Sequence, residues 1–252
     1  METIYTLEWM KQVARQARAD GRLVGFVPTM GALHEGHLSL IRAAQQQCAP
    51  VIASIFVNPT QFGPNEDLTK YPRQMEADRA ALEALRVDYL FAPTAKEMYP
   101  DGFRTYVQVE GLSERLEGKS RPGHFRGVST VVLKLFEIVQ PHYAFFGRKD
   151  AQQARIIRQM ATDLNLDTHV VICPTVREED GLAMSSRNAY LGPEERRAAT
   201  ALYRALAAAK KGIAAGERDT MRLAGAMRGV LSAETLLSVD YAEIVDADTF
   251  EP

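Results

Sequence analysis

Leu7, Met10, Val13, Ala14 and Ala17 recur at helical spacing, which predicts a helix over Leu7–Ala19. A short apolar run at Leu23–Pro28 reads as a strand. A glycine-bearing loop over Gly31–Gly36 and an amphipathic helix over Leu38–Gln47 follow it. Val51–Val57 is almost wholly apolar, as a strand covered on both faces requires. The alternation continues through helix Met75–Leu85, strand Tyr89–Ala92, helix Val128–Val139, strand Tyr143–Phe146, helix Ala151–Leu164 and strand Thr168–Cys173. Such an order predicts an α/β fold, a doubly wound parallel sheet with helices on both faces. Ligands of such sheets sit beyond the carboxyl ends of the strands. The character changes after Leu191. Pro193–Gly212 reads as one Ala-rich helix, Thr220–Ser232 as another, and Val239–Val245 alternates like a strand. A boundary near Asn188 follows, with domains over 1–187 and 188–252, the second a smaller α+β domain.

Composition narrows the function classes. Of 252 residues, 46% are hydrophobic and 25% charged, an ordinary globular profile. Lys and Arg total 30 against 32 Asp and Glu, a net charge of -2, so a broad nucleic-acid-binding surface is not expected. Cys48 and Cys173 lie far apart, which fits a reduced, cytoplasmic setting better than a disulfide framework. The first twenty residues carry Glu2 and Glu8 without a continuous apolar core, unlike a signal peptide. No apolar stretch approaches the ~20 residues of a membrane span.

Polar clusters stand at the strand ends. The sharpest is Pro28-Thr29-Met30-Gly31-Ala32-Leu33-His34-Glu35-Gly36-His37. Its glycines let a ligand approach the backbone closely. The helix that follows points free N–H groups and its positive dipole end at that ligand, which favours phosphate. Two imidazoles three residues apart can each donate to charge developing on a phosphate oxygen. The same residues also fit half-buried, satisfied histidines or a plain glycine turn. Zinc fits less well, because HEGH is not the helical HExxH pattern and no Cys is near. In Phe56–Gly63, Asn58 and Gln61 are neutral amides suited to a small polar substrate, although on this stretch alone an Asx-Pro turn satisfied by backbone is the favoured reading. In Phe146–Gln153, Lys149 offers mobile positive charge and Asp150 a cap, a metal ligand or a ribose contact. A solvated helix start explains both residues as well. Asp180–Asn188 unites serine hydroxyls, backbone N–H groups and Arg187 into an anion clamp, or forms an interdomain linker. The least clear stretch, Arg121–Gly127, adds positive charge before a helix.

Taken in order, PTMGALHEGHLSL, SIFVNPTQF, SRPGHFRGVSTVV, FGRKDAQQ and DGLAMSSRNAYL resemble the pantoate–β-alanine ligase (pantothenate synthetase) family, from about Leu7 to Asp248. HEGH corresponds to the HIGH-type signature of Rossmann-like nucleotidyl-transferring enzymes. MSSR stands where that superfamily carries a flexible, positively charged second signature.

The resemblance implies a Rossmann-like ATP- and pantoate-binding domain followed by a lid domain. Family chains usually continue a few tens of residues beyond the equivalent of Asp248, so that lid is apparently truncated here. It implies ATP-dependent, AMP-forming condensation of pantoate with β-alanine through a pantoyl adenylate. His37, His34, Lys149 and Arg187 would carry the charge chemistry. Met30, Gly31, Ala32, Leu33, His34, Glu35, Gly36 and His37 would line the ATP site. Gly147, Arg148, Lys149 and Asp150 would join them, as would Val176 against adenine and Met184, Ser185, Ser186 and Arg187 over the triphosphate. Gln61, Gln153 and Asn58 would hold pantoate or face β-alanine. Mg²⁺ would ride on ATP, with Asp78 a candidate ligand. A cytoplasmic homodimer is implied, with no nucleic-acid or membrane partner. Two alternatives are a nucleotidyltransferase acting on a phosphate acceptor, whose pocket should be strongly cationic, and a non-catalytic ATP-binding module.

Overall fold

The computed structural model describes residues 1–64 and 66–252. Its elements run β1 (Glu2–Ile4), α1 (Leu7–Ala19), β2 (Gly25–Thr29), α2 (Glu35–Gln45), β3 (Val51–Ile55), α3 (Met75–Ala84), β4 (Tyr89–Phe91) and α4 (Ala95–Met98). They continue through α5 (Glu117–Ser120), α6 (His124–Val139), β5 (Tyr143–Gly147), α7 (Ala151–Asp163), β6 (His169–Cys173), α8 (Pro193–Ala199), α9 (Ala201–Ala214) and α10 (Thr220–Ser232). The chain divides into two compact units, Met1–Thr175 and Val176–Pro252. The boundary expected at 187/188 therefore falls inside the second unit. The reason is a tight turn: Arg177 bridges Ala183, and Met184 N–H donates to the Val176 carbonyl at 3.0 Å. Asp180 also pairs with Arg196 of α8.

The first unit is a six-stranded sheet ordered β1-β4-β3-β2-β5-β6, with every pairing parallel. The doubly wound expectation is met. Consecutive side chains of β2 enter opposite cores, because strand side chains alternate between faces. Phe26 packs with Met10 and Ala14 of α1 and with Val128–Val139 of α6. Val27 packs with Leu40 and Ile41 of α2 and Leu82 of α3. Burying a side chain of this size contributes ~1.5–3 kcal/mol. The edge strand β1 was not anticipated, being only three residues long.

The strand order changes direction between β2 and β5, where ligands of open α/β sheets collect. Pro28 gives that crevice a local cause. Gly25 N–H donates to the Pro50 carbonyl and the Thr29 carbonyl accepts from Phe56, so the odd-numbered residues of β2 bond toward β3. The even-numbered ones face β5, and the Val24 carbonyl accepts from His142. Pro28 falls on that side without an N–H to give. The β2–β3 ladder runs from Gly25↔Val51 to Thr29↔Ile55, whereas the β2–β5 ladder holds only Gly25↔Tyr143 and Phe26↔Ala144.

The second unit is helical. Ala201, Ala205 and Ala209 of α9 pack with Met227 and Leu231 of α10. Two expectations fail here. The single helix over Pro193–Gly212 breaks at Thr200, whose Oγ1 donates back to the Arg197 carbonyl at 2.7 Å. Val239–Val245 forms no strand, and beyond the isolated bridge at Arg177 and Ala183 the described residues of this unit hold no β pairing, so it is not α+β. No helix among the described residues is long and apolar enough to cross a membrane.

Candidate functional site

The glycine loop after β2 turns through two successive left-handed residues, Gly31 at φ +85° and Ala32 at φ +50°. Thr29 Oγ1 donates to the Ser54 carbonyl at 2.7 Å and accepts from Gly31 N–H at 3.2 Å, tying the loop to β3. Asp78 of α3 reaches across from the other side. Its Oδ2 accepts from Ala32 N–H at 2.8 Å and its Oδ1 from Leu33 N–H at 2.7 Å. Asp78 is 2% exposed, and each of its oxygens accepts a backbone N–H of the loop. The described residues hold no group of three or more His, Cys, Asp or Glu that could hold a metal ion.

The loop delivers His34 as the cap of α2, one turn earlier than the predicted start at Leu38. His34 Nδ1 accepts from Gly36 N–H at 3.1 Å, and His37 Nδ1 accepts from His34 N–H at 3.3 Å. This is a capping box built from two imidazoles. It narrows the expectation of free helix N–H groups, since those of Gly36, His37 and Leu38 all bond within the cap and only the Glu35 N–H has no partner among the described residues. An Nδ1 that accepts carries no proton, so each neutral ring is protonated at Nε2. Neither Nε2 has a partner among the described residues. The ring centroids lie 4.1 Å apart, so the site presents two adjacent, unfilled N–H donors.

Electrostatics keeps both rings neutral. Burial holds His34 below the usual histidine range, with Lys149 lowering it further and Asp150 opposing. Burial pushes His37 down to about 3, with His34 and Lys149 adding to the shift. Lys149, in the turn after β5, is therefore within electrostatic reach of both imidazoles, as adjacency of β2 and β5 requires. It pairs with Asp150 at 3.2 Å in a partly exposed setting, where such a contact contributes ~0–1 kcal/mol. Because native His37 resists protonation, the unfolded chain binds the extra proton between pH ~6.5 and 3. This group contributes nothing above pH ~6.5 and progressively destabilises the fold below it. Urea unfolding from pH 7.5 to 4.5 should show a shallower acid loss in His37→Gln than in the unsubstituted chain.

A second cluster follows β3, next to the glycine loop. Asn58 is 1% exposed. Its Nδ2 donates to Gln61 Oε1 at 3.0 Å and to the Gly127 carbonyl at 3.2 Å. Its Oδ1 accepts from Tyr99 Oη at 2.8 Å, Thr60 Oγ1 at 3.0 Å and Thr60 N–H at 3.4 Å. Every polar group of Asn58 is thus satisfied within the protein, and its Nδ2–H orients Gln61. Gln61, with its oxygen occupied, directs its amide N–H₂ toward Met30, where Nε2 lies 3.1 Å from Sδ.

The stretch of least clear role proves to be the support of this turn. His124 Nδ1–H donates to the Gln61 carbonyl at 2.8 Å, the assignment a carbonyl partner demands. Arg121 clasps Glu66 and Glu117. Gly127 packs so closely that a Cβ there would sit 2.3 Å from the Thr60 oxygen. Sequence reasoning passed over Tyr99 and gave His124 no specific role, because nothing local marks them; Tyr99 lies 41 residues from its partner Asn58.

Gln153, on α7, is half-buried and has no hydrogen bond within the described residues, so its amide is open to a ligand. Gln152 beside it is structural, donating to the Leu112 and Arg115 carbonyls at 2.8 Å. Among the positions expected in the second unit, Asp180, Gly181 and Asn188 are structural. Gly181 at φ +91° abuts Tyr203, and Asn188 Nδ2 donates to the Ala183 carbonyl at 3.1 Å. Val176, Met184, Ser185 and Ser186 are half-buried and Arg187 is exposed.

Known proteins match the chain along its whole length. It is 55% identical over 252 residues to a pantothenate synthetase of Caldicellulosiruptor saccharolyticus, covering 100% of this chain and 90% of that protein. It is 61% identical over 228 residues to one of Acidobacterium capsulatum, covering 90% and 76% respectively. The crystal structure of a Thermus thermophilus pantothenate synthetase superposes with a TM-score of 0.95 at 49% identity, over 100% of this chain and 90% of that one. A Francisella tularensis pantoate-beta-alanine ligase, complexed with beta-gamma ATP and beta-alanine, gives 0.79 at 39%, over 91% and 86%. The sequence profile for pantoate-beta-alanine ligase spans residues 2–252, taking in the imidazole cap, the amide cluster and the lysine turn alike, so the chain belongs to the pantoate–β-alanine ligase family.

Proposed function

We infer that this ligase condenses pantoate with β-alanine in two steps at one site, with ATP as the activating substrate. The pantoate carboxylate attacks the α-phosphorus of ATP. The bond from that phosphorus to its bridging oxygen breaks, and pyrophosphate leaves. The neutral amine of β-alanine then attacks the acyl carbon, the bond to AMP breaks, and the amine sheds a proton. A free carboxylate is a poor acyl donor, whereas an acyl phosphate is a good one. Positioning and charge stabilisation therefore suffice, without a covalent enzyme nucleophile.

The observation that carries this reading is the pair of unfilled Nε2–H donors held by backbone, with Lys149 in electrostatic reach. Such donors stabilise negative charge developing on phosphate oxygens without protonating them. The open amide of Gln153, and the Gln61 N–H₂ that here meets only the Met30 thioether, are suited to the hydroxyls and carboxylate of pantoate. Their neutrality argues against a phosphate acceptor. Mg²⁺ would enter with ATP as part of the substrate, since the described residues offer no carboxylate cluster to hold it. The roles of Gly147 and Arg148, and of Val176 and Met184–Arg187, toward ATP rest on the resemblance alone, as does a homodimer. Two buried free thiols, Cys48 and Cys173, fit a reducing, cytoplasmic setting.

Pyrophosphate exchange into ATP tests the reading. Labelled pyrophosphate should enter ATP only when pantoate is present. Exchange without pantoate would favour a nucleotidyltransferase, and nucleotide binding without exchange a non-catalytic module.

A further inference from the structure

We propose that Asp78 is a positioning residue for the two imidazoles, clamping the Gly31–Leu33 bend in the shape that presents His34 as the cap of α2. The inference deepens the reading above and rests on it only for its activity readout.

The bend is an improbable conformation to leave unsupported. Ala32 sits at φ +50° immediately after Gly31 at φ +85°, and a non-glycine residue holds that region only when its surroundings dictate it. Asp78 supplies the constraint. One carboxylate takes consecutive N–H groups, Ala32 on Oδ2 and Leu33 on Oδ1, and Leu33 directly precedes the cap His34. These bonds are charge-assisted, and Asp78 is only 2% exposed, so water does not compete for them. Asp78 stands in the first turn of α3, where the helix dipole favours negative charge. The fit is close: a Cβ on Gly31 would lie 3.0 Å from Asp78 Oδ2 and 3.1 Å from Ile55 Cγ2. The clamp also occupies the N–H groups of Ala32 and Leu33, so these two are not offered to an anion, whereas the imidazole Nε2–H groups are.

An amide cannot replace this carboxylate, because its NH₂ would face a backbone N–H. In Asp78→Asn, imidazole ¹⁵N spectra should show His34 and His37 losing their single Nε2–H tautomer, which lower stability alone would not cause. Pantoate-dependent exchange should fall about 10²-fold in kcat with the KM for pantoate retained. The magnesium concentration giving half-maximal rate should not move. Relaxing the bend with Ala32→Gly should restore part of the rate to Asp78→Asn. That double variant carries the same spectra and magnesium titration if the single one does not fold. Unchanged tautomers would overturn the proposal, and a rate recovered by excess Mg²⁺ would overturn it in favour of Asp78 as a metal ligand. If the unsubstituted enzyme shows no pantoate-dependent exchange, the functional reading falls, while the spectra still decide the role of Asp78.

Discussion

His37→Ala should slow adenylate formation by about 10²-fold or more, as loss of one preorganised donor to developing charge does. Rapid-quench measurement of AMP transfer to pantoate, with both substrates saturating, reads this step directly. The substitution also removes the acceptor for His34 N–H, a cap contribution of ~1 kcal/mol, so part of the effect would be structural. His37→Gln separates the two. Glutamine at the third helical position restores the acceptor that closes the box, so helix stability should return. Its amide does not reproduce the ring's outward N–H, so the chemical step should stay slow. An unaltered pre-steady-state rate in His37→Ala would remove this residue from the mechanism.

Gly127→Ala should be strongly damaging, although the change adds only one methyl group. Helix propensity favours alanine over glycine by ~1 kcal/mol. Here a Cβ would lie 2.3 Å from the Thr60 oxygen, 2.6 Å from its carbon and 2.7 Å from Gln61 Cα, all backbone atoms that cannot swing aside. Overpacking of this kind costs ~1–3 kcal/mol. Relief would push the Asn58–Gln61 turn away from α6, breaking the bond from Asn58 Nδ2 to the Gly127 carbonyl. The KM for pantoate should rise and the melting temperature fall. Gly225 of α10 provides the comparison, since a Cβ there meets nothing within 4 Å. Gly225→Ala should be neutral or stabilise by up to ~1 kcal/mol. Equal behaviour of the two variants in calorimetry would contradict the packing argument.

Periodicity made the sheet legible because its strands are buried on both faces and its helices on one. Val51–Ile55 and α1 therefore carry their environments in their composition. The imidazole pair and Lys149 were legible because each lies in a compact segment at a strand end. What remained hidden depends on contacts distant in sequence. Asp78 reads as an ordinary helix residue until the fold brings it beneath Ala32 and Leu33, and Asn58 reads as a ligand contact until Tyr99 and Gly127 saturate it. Val239–Val245 shows the converse failure. Alternation assigns faces to side chains, but a strand also needs a neighbour to accept its backbone bonds, and none of the described residues pairs with it.

The imino acid in the middle strand shows how little is needed to turn a wall into a vessel. One nitrogen without a hydrogen stops the zipper between β2 and β5, so the sheet stays closed at its base and parts at its lip. The hollow is thus made by withholding a bond rather than by inserting a loop.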